Sequence, residues 1–290
     1  MTEGARGWDP GPALRRHLDA IIGERSPITN PERLRRTEEY AESIFRAAGL
    51  ATHREPIAAS GGAWHNVIAD LPAGPSAPLF ILGAHLDAVS GTPGADDNAS
   101  AAAALLAVAE WLGAQPARDR RTAIRLAAFN LEEWGMIGSA EHAEALRAAG
   151  REVDSMIALE MIGYADPRPR SQRYPPGMSI GRRRSGDFIS VVGNTASRDL
   201  VGRVARALGS DATLPVETVA IPSAAAALIG ATLSDHSPFW RCGYRAVMVG
   251  DTAFYRNPHY HLPSDTLDTL SLPFLEKVTR GLAVFVESLP

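Results

Sequence analysis

The sequence is short of cysteine, of long apolar runs and of any surplus of basic charge. Its one cysteine, Cys242, cannot form an internal disulfide, so the fold does not depend on an oxidising compartment. No stretch reaches the roughly 18 uncharged apolar residues of a transmembrane helix, and residues 1–8 lack the apolar core of a signal peptide. The net charge of −4 argues against nucleic acid as the main partner. We therefore expect a soluble, cytoplasmic protein that binds neither nucleic acid nor a membrane.

Apolar residues are plentiful enough for a large core. Of the 290 residues 45% are hydrophobic, which excludes a disordered chain, and the absence of a glycine period excludes a collagen-like fibre. A chain of this length can bury most of its apolar surface in one or two domains. We interpret residues 1–290 as a single catalytic domain, because the strand signals resume after the one long interruption.

Apolar runs typical of strands alternate with segments whose apolar residues recur at helical spacing. The expected strands are 66–71, 79–84, 123–130, 156–161, 188–192 and 246–249. The expected helices are one that carries Leu14, Leu18, Ile21 and Ile22, then 31–48, 99–112, 139–149, 198–208 and 272–288. Several strands are unbroken apolar runs, as expected for strands buried on both faces of a sheet. The alternation predicts an α/β sandwich with a mixed, mostly parallel central sheet and helices on both faces.

Residues 164–186 interrupt this alternation. The segment is rich in proline, glycine and arginine, and long loops inside compact domains often serve as binding loops or lids. We interpret it as an insertion within the domain and as a candidate active-site lid. Its arginines would either pair with a substrate carboxylate or form a solvated basic loop, and the preferred substrate side chain cannot be inferred from them.

Polar residues follow the expected strands at their C-terminal ends, where open α/β sheets bind ligands. His85 and Asp87 come directly after strand 79–84, and two residues this far apart on an extended chain point the same way. Asp87 can therefore hold one imidazole nitrogen while the other binds a metal ion. A lone histidine beside an unrelated turn aspartate is the alternative.

Two pairs of adjacent carboxylates occur at the same edge. Asp96, Asp97 and Asn98 precede helix 99–112, where they would cap the helix, and a carboxylate beyond those that a cap requires would serve an adjacent metal ion. Glu132 and Glu133 leave an apolar strand, and carboxylates there are costly to bury without a cation unless the loop is solvated. In a metal site one glutamate would bind the ion and the other would take a proton from water. Spacing does not decide which member of each pair does which task.

Further candidate ligands follow later strands. Glu160 lies inside an apolar run, where a lone carboxylate needs a partner. His261 and Asp265 would repeat the pairing of a ligand with an orienting carboxylate. Mixed nitrogen and oxygen ligands suit catalytic zinc, whereas a structural site would favour cysteine. The sequence therefore predicts zinc as the cofactor.

As an ordered set, these motifs resemble the family of co-catalytic zinc aminopeptidases, which also includes glutamate carboxypeptidases and glutaminyl cyclases. The matching segments are 85–87, 94–100, 132–139 and 260–266, and the resemblance extends from about Leu79 to the C-terminus. It implies two zinc ions bridged by Asp97, with His85 and Glu160 on one ion and Glu133 and His261 on the other. Many members carry aspartate where this chain has Glu160, which implies a second zinc that binds more weakly or is absent, as in the cyclases.

The resemblance also implies roles for residues beside the ligands. Glu132 would be the general base, Asp87 would orient His85, and Tyr260 would donate to the tetrahedral oxyanion. The run Ser234-Asp235-His236 with Phe239 resembles a late motif of the family. It places Asp235 and His236 beside the ligands or facing the substrate.

The expected reaction is zinc-dependent hydrolysis of a terminal amide or peptide bond, of the aminopeptidase type, with a peptide or small amide as substrate. A mononuclear zinc aminoacyl cyclase of the glutaminyl type, or a related transferase, is the alternative. A non-catalytic binding protein of the same fold is a third hypothesis. The sequence does not indicate the oligomeric state.

Overall fold

One mixed sheet of eight strands runs through the part of the chain that the structure describes, residues 4–74, 76–175, 177–179 and 181–290. The structure is a computed structural model. The strands are β1 (Ala51–Pro56), β2 (His65–Leu71), β3 (Leu79–His85), β4 (Ala123–Phe129), β5 (Val153–Glu160), β6 (Ile189–Asn194), β7 (Val216–Ile221) and β8 (Ala246–Gly250). Their order across the sheet is β1-β2-β4-β3-β5-β8-β6-β7.

The centre of the sheet is parallel. Strands β4, β3, β5 and β8 pair in parallel, and β6 pairs in parallel with β7. The pairs β1–β2, β2–β4 and β6–β8 are antiparallel. The predicted mixed, mostly parallel sheet is therefore confirmed. Because the four central strands run the same way, their C-terminal ends lie at one edge.

Helices cover both faces of the sheet, as predicted. They are α1 (Gly11–Ile21), α2 (Pro31–Ala47), α3 (Ala101–Gly113), α4 (Ile137–Ala148), α5 (Arg198–Leu208), α6 (Ser223–Ala226), α7 (His236–Arg241) and α8 (Leu272–Glu287). Helices α2, α3, α5 and α8 lie on one face, with α1 packed against α3, and α4 and α7 lie on the other. None of the described helices is long and apolar enough to span a membrane.

Side chains on the two faces of the central strands pack into two hydrophobic cores. On β3, Phe80 and Leu82 pack into the core beneath α3 and α8, whereas Leu79 and Ile81 pack into the core beneath α4 and α7. Successive side chains on a strand point to opposite faces, so a strand covered on both sides needs apolar residues at every position. This is why the central strands are unbroken apolar runs.

The structure adds strands that the sequence pattern did not predict. Strands β1 and β7 lie at the two edges of the sheet, and their residues are partly or fully exposed. An edge strand with few buried positions carries no apolar run, so the pattern missed both. The boundaries of the predicted strands move by one to three residues. Helix α3 begins at Ala101 instead of Ala99, because Asp97 and Asn98 have non-helical backbone angles.

The insertion 164–186 lies between β5 and β6. A bridge between Asp166 and Gly186 joins its two ends, and residues 176 and 180 lie outside the described part of the chain. Several of its arginines are already in ion pairs: Arg168 with Asp166, Arg182 with Glu217, and Arg183 with Asp187. These contacts compete with the predicted pairing to a substrate carboxylate.

Candidate metal centre

His85 ends strand β3 and is fully buried. Its Nδ1 donates to the main-chain carbonyl oxygen of Asp87 at 3.1 Å, and the nearer carboxylate oxygen of Asp87 lies 3.6 Å away. The carboxylate of Asp87 instead accepts hydrogen bonds from the main-chain N–H groups of Glu132 and Glu133, at 3.0 and 3.1 Å. Asp87 thus holds the imidazole through its carbonyl group and the glutamate pair through its carboxylate.

Asp265 makes the matching contact with the aspartate pair. Its two carboxylate oxygens accept from the main-chain N–H groups of Asp96 and Asp97, at 2.9 and 3.1 Å. The sequence pattern had paired Asp265 with His261, but in the structure the carboxylate of Asp265 bonds to the turn that contains Asp96 and Asp97. Burial, followed by the charge of Asp96, raises the pKa of Asp265 to about 7.

The members of the aspartate pair point in different directions. The carboxylate of Asp96 accepts from Gly163 N at 2.9 Å, Ser100 Oγ at 3.1 Å and Asn257 Nδ2 at 2.8 Å. It is therefore occupied by the protein itself. Asp97 turns toward the two histidines. The structure thus separates two residues that spacing alone could not distinguish.

Two triads of potential ligands share Asp97. His85 Nε2 lies 3.4 Å from Asp97 Oδ1 and 3.6 Å from Glu160 Oε2. His261 Nε2 lies 3.1 Å from Asp97 Oδ2 and 3.3 Å from Glu133 Oε2. Within each triad the ligand atoms lie within 4.8 Å of one another. Asp97 contributes one oxygen to each triad.

Several atoms of these triads are buried without a hydrogen-bond partner among the described residues: His85 Nε2, Asp97 Oδ1 and Glu133 Oε1. Leaving buried polar atoms unpaired costs free energy, and such atoms in a native structure call for a ligand. Imidazole nitrogens with carboxylate oxygens form a donor set that zinc accepts. The residues present therefore fit a pair of zinc ions.

The charges of the cluster are consistent with this fit. Burial disfavours a charge on His85, but the carboxylates of Glu160 and Glu132 raise its pKa well above the ordinary value. Burial likewise opposes a charge on His261, and contact with Asp97 and Glu133 raises its pKa to about 10. Without a cation, the carboxylates thus draw protons onto both histidines. Dications between them would supply the missing positive charge.

Glu132 lies beside the triads and belongs to neither. Its Oε2 is 4.0 Å from His85 Nε2. Burial and the charge of Glu160 raise the pKa of Glu132 well above its ordinary value, against the opposing effect of His85. A carboxylate that is not a ligand and has a raised pKa is suited to accept and return a proton.

Tyr260 covers the His261 side of the cluster. The two rings stack with centroids 3.7 Å apart and planes at 21°. Tyr260 and Glu160 both line a cavity of about 110 Å³ that opens beside the cluster. Burial and the nearby carboxylates, first Asp97, raise the pKa of Tyr260, so its hydroxyl remains a hydrogen-bond donor at neutral pH.

The residues of the late motif, Ser234-Asp235-His236, lie partly beside the cluster and partly in the core. Ser234 Oγ donates to Glu160 Oε2 at 2.7 Å, and Asp235 is buried beside the cluster, where burial raises its pKa to about 7. His236 differs from the prediction. Its Nε2 donates to the carbonyl oxygen of Ala231 at 2.8 Å, and its ring packs edge-on against Trp240. His236 therefore packs as a core residue of α7.

Sequence reasoning missed Arg25, which is fully buried. Its guanidinium donates to the carbonyl oxygens of Leu86 at 2.7 Å, Pro93 at 2.9 Å and Gly94 at 2.9 Å. These bonds hold the loop that connects His85 to the aspartate turn. A single arginine in a polar segment carries no signal of burial in the sequence.

Asn98 also supports the site, which the sequence pattern did not predict. Its Nδ2 donates to the carbonyl oxygen of Leu159 at 2.9 Å, and its Oδ1 accepts from Met161 N at 3.0 Å. The amide therefore spans the residues on either side of Glu160. The sequence pattern had explained Asn98 as a helix cap, since asparagine is common there.

Two ligand triads that share a carboxylate, beside an unligated glutamate at the C-terminal edge of an α/β sheet, are typical of two-metal hydrolases. The chain belongs to peptidase family M28, whose family model matches residues 66–286. The resemblance to zinc aminopeptidases and glutaminyl cyclases is thereby confirmed.

Two relatives match most of this chain. The uncharacterized protein YfbL of Escherichia coli (strain K12) is 39% identical over 279 residues, which cover 92% of this chain and 84% of that protein. The probable lipoprotein aminopeptidase LpqL of Mycobacterium tuberculosis is 29% identical over 233 residues, 76% of this chain and 44% of LpqL. The chain thus spans less than half the length of LpqL.

Solved structures share the fold at low identity. The LapA aminopeptidase of Legionella pneumophila matches with a TM-score of 0.78 and 18% identity, over 98% of this chain and 71% of LapA. The glutaminyl cyclase of Porphyromonas gingivalis matches with a TM-score of 0.68 and 18% identity, over 96% of both chains. At these identities the comparison establishes the α/β fold.

Proposed function

We propose that the protein is a zinc-dependent aminopeptidase, which hydrolyses the terminal peptide or amide bond beside a free amine. The observation that carries the proposal is the pair of ligand triads that share Asp97, with Glu132 next to them. Membership of family M28 and the name of the LpqL relative support the same reaction class.

The residues of the two triads would hold the metal ions. His85, Glu160 and one oxygen of Asp97 would hold one zinc ion, and His261, Glu133 and the other oxygen of Asp97 would hold a second. When bound, zinc polarises the scissile carbonyl group and lowers the pKa of water.

Glu132 performs the proton transfer. Its carboxylate accepts a proton from the attacking water and returns it to the nitrogen of the leaving amine. Burial raises the pKa of Glu132, which makes its carboxylate a stronger base than that of an exposed glutamate.

Tyr260 stabilises the charge that develops on the scissile carbonyl oxygen. Its hydroxyl donates a hydrogen bond to the oxyanion, and stacking on His261 fixes the ring before the substrate arrives. A donor that is already in position needs no reorganisation during the reaction, which makes its electrostatic contribution large.

The charges around the cavity favour an amine terminus over a carboxyl terminus. Zinc ions would compensate the ligand carboxylates, but Glu132 and the buried Asp235 are further carboxylates beside the cluster that belong to neither triad. Two arginines that line the cavity already have partners: Arg173 donates to the carbonyl oxygen of Phe254, and Arg182 pairs with Glu217. An ammonium group is therefore better accommodated than a second carboxylate.

Aminoacyl cyclisation is the second candidate, because the cyclase of Porphyromonas gingivalis matches this chain over nearly the full length of both proteins. In that reaction the α-amine of a glutaminyl residue would attack the carbon of its own side-chain amide, the amide C–N bond would break and ammonia would leave. One zinc ion would suffice. The two reactions are distinguished by which substrates are turned over and by how many zinc ions each chain binds.

The test uses zinc-loaded protein with leucine p-nitroanilide, its N-acetylated form, and a glutaminyl dipeptide. We expect hydrolysis of the free-amine substrate, none of the acetylated one, and no ring-closed product. Glu132→Gln should keep its zinc and lose at least about 100-fold in kcat. Wild-type turnover in this variant would exclude Glu132 as the base, and one zinc with a cyclised product would favour the cyclase.

Peptides and small amides are the partners that we propose for this site. The assignment of residues 1–290 to one domain, the candidate lid and the cytoplasmic compartment stay predictions. So does the expectation that the protein binds neither nucleic acid nor a membrane.

A further inference from the structure

The cavity beside the cluster extends sideways over the sheet, away from the metal ligands. Its floor is a row of residues that the strand register places side by side: Glu160 opposite Gly250, Gly250 opposite Ser190, and Ser190 opposite Glu217. Neighbouring strands are about 4.8 Å apart, so the backbone of Glu217 lies about 14 Å from that of Glu160. The cavity thus has one end at the cluster and a distal end at Glu217.

The middle of the cavity is apolar. Met248, Val192 and Val219 form the next row of the floor, and Leu233 and Phe254 contribute apolar walls. An uncharged, bulky side chain of the substrate would bury apolar surface here, which is worth about 25 cal/mol per Å².

The distal end carries two opposite charges. Arg182, from the insertion, places its guanidinium 3.2 Å from the carboxylate of Glu217, and both side chains line the cavity. The two side chains are 23% and 22% exposed, so neither charge is fully solvated. Each therefore depends on the other for compensation, and only the longest side chains of a substrate would reach them.

We propose that the Arg182–Glu217 pair is a specificity determinant, which cancels the charge at the distal end and restricts the cavity to uncharged side chains. The inference rests on the proposed function, because the cavity would hold the side chain on the carbonyl side of the scissile bond. An unpaired charge in a partly desolvated pocket attracts a group of opposite charge and disfavours a group of like charge.

Removal of one partner should therefore redirect the specificity. In Arg182→Met, the carboxylate of Glu217 loses its partner and would attract the ammonium of a lysyl side chain. In Glu217→Gln, the guanidinium of Arg182 loses its partner and would attract a glutamyl carboxylate. Arg183→Met is the matched control, since Arg183 belongs to the same insertion and pairs with Asp187.

The experiment measures kcat/KM on leucyl, methionyl, lysyl and glutamyl p-nitroanilides. We expect the wild type to prefer leucyl and methionyl substrates. Arg182→Met should raise the lysyl-to-leucyl ratio at least tenfold, Glu217→Gln should raise the glutamyl-to-leucyl ratio by a similar factor, and Arg183→Met should change neither. Equal zinc content and melting temperature would show that the variants are folded.

A binding measurement keeps this inference separate from the proposed reaction. Calorimetry compares methionine amide, lysine amide and glutamic acid α-amide, and needs no turnover. If none of the substrates is hydrolysed, the proposed function fails, and the same tenfold shifts in relative affinity still support the determinant. Ratios within twofold of the wild type in both variants would overturn it, as would a wild type that prefers lysyl or glutamyl substrates.

Discussion

At the residue scale, one hydrogen-bonding device occurs twice around the cluster. Asp87 and Asp265 each use both carboxylate oxygens to accept from two consecutive main-chain N–H groups. Each clamped pair contains a potential ligand, Glu133 in one case and Asp97 in the other. Two hydrogen bonds to one carboxylate fix the orientation of both N–H groups, so these carboxylates position the ligands although they belong to neither triad.

We predict that Asp265→Asn weakens zinc binding about 10- to 100-fold, as is usual when a residue that supports a metal ligand is changed. The amide offers one acceptor oxygen and turns an NH₂ group toward the second N–H, so one of the two bonds is lost. Competition with a chelator measures the affinity. Asp268→Asn is the control, because Asp268 is exposed and bonds to Thr266. Equal affinities in the two variants would contradict the clamp.

Arg25 provides a stability prediction at the same scale. Arg25→Met removes the donors to the carbonyl oxygens of Leu86, Pro93 and Gly94, and unpaired buried acceptors cost about 1–3 kcal/mol each. We expect the free energy of unfolding to fall by about 3 kcal/mol or more in urea titrations. Arg15→Met removes an exposed pair with Asp19 and should cost less than about 1 kcal/mol. Similar losses of unfolding free energy in the two variants would show that the hydrogen bonds of Arg25 do not stabilise the fold.

The residue types of the site could be predicted from sequence, but their directions could not. The motif contained both Asp96 and Asp97, and the choice between them depends on Gly163 and Asn257, which lie 67 and 161 residues from Asp96 in the sequence and bond to its carboxylate. Contacts across such distances leave no trace in local spacing. His236 is a different case, because its partners Ala231 and Trp240 are near it in the sequence, but spacing does not give the direction of its ring.

At the element scale, burial decided which strands and helices could be predicted. The central strands β3, β4, β5 and β8 are covered on both faces and form apolar runs. The edge strands β1 and β7 have mixed, partly exposed residues, so periodicity gives no signal for them. The short helix α7 was missed because it has only six residues and contains Pro238.

Helices α5 and α8 pack closely, and two glycines test that contact. A Cβ at Gly281 of α8 would lie 2.8 Å from the Cα of Leu208 in α5, whereas a Cβ at Gly202 would meet only the end of Arg206 at 3.5 Å. We predict that Gly281→Ala lowers the free energy of unfolding by more than about 1 kcal/mol, because overpacking is costly. Gly202→Ala should raise it by about 0.5–1 kcal/mol through helix propensity. Thermal unfolding measures both changes. If the two substitutions changed the free energy of unfolding in the same direction and by the same amount, the close contact at Gly281 would be contradicted.

At the scale of the whole molecule, the sheet edge gathers residues that are far apart in the chain. The ligands come from four different strands: His85 and Glu160 end β3 and β5, and Glu133 and His261 lie in the segments after β4 and β8. The parallel centre of the sheet places these strand ends together. The mostly parallel sheet and the edge that carries the site could be predicted from the alternation of strands and helices, but the strand order could not. The clamps, the cavity and its distal ion pair could not, because they depend on contacts between separate loops.

The pH dependence of stability is also a property of the whole molecule. Glu38 of α2 is buried, and burial raises its pKa to about 7 from an ordinary value of 4.5. The folded chain therefore binds a proton that the unfolded chain releases, and its stability falls as pH rises from 4.5 to 7. Glu38→Gln stays neutral, so its stability relative to the wild type should rise across this window by at most about 1.4 kcal/mol per pH unit.

Urea titrations between pH 4.5 and pH 8 measure this difference. Glu39→Gln is the matched control, since Glu39 is the exposed neighbour on the same helix. Its curve should run parallel to that of the wild type. A constant difference between Glu38→Gln and the wild type over the whole range would show that folding does not raise the pKa of Glu38.

The most direct test of the shared-carboxylate site is the zinc content of four proteins after equilibration with zinc and removal of the excess. We predict two zinc ions per chain in the wild type, one in His85→Ala, one in His261→Ala, and none in Asp97→Asn. This pattern follows because each histidine belongs to one triad and Asp97 belongs to both. A wild type without zinc, or an Asp97→Asn variant with wild-type content, would contradict the assignment.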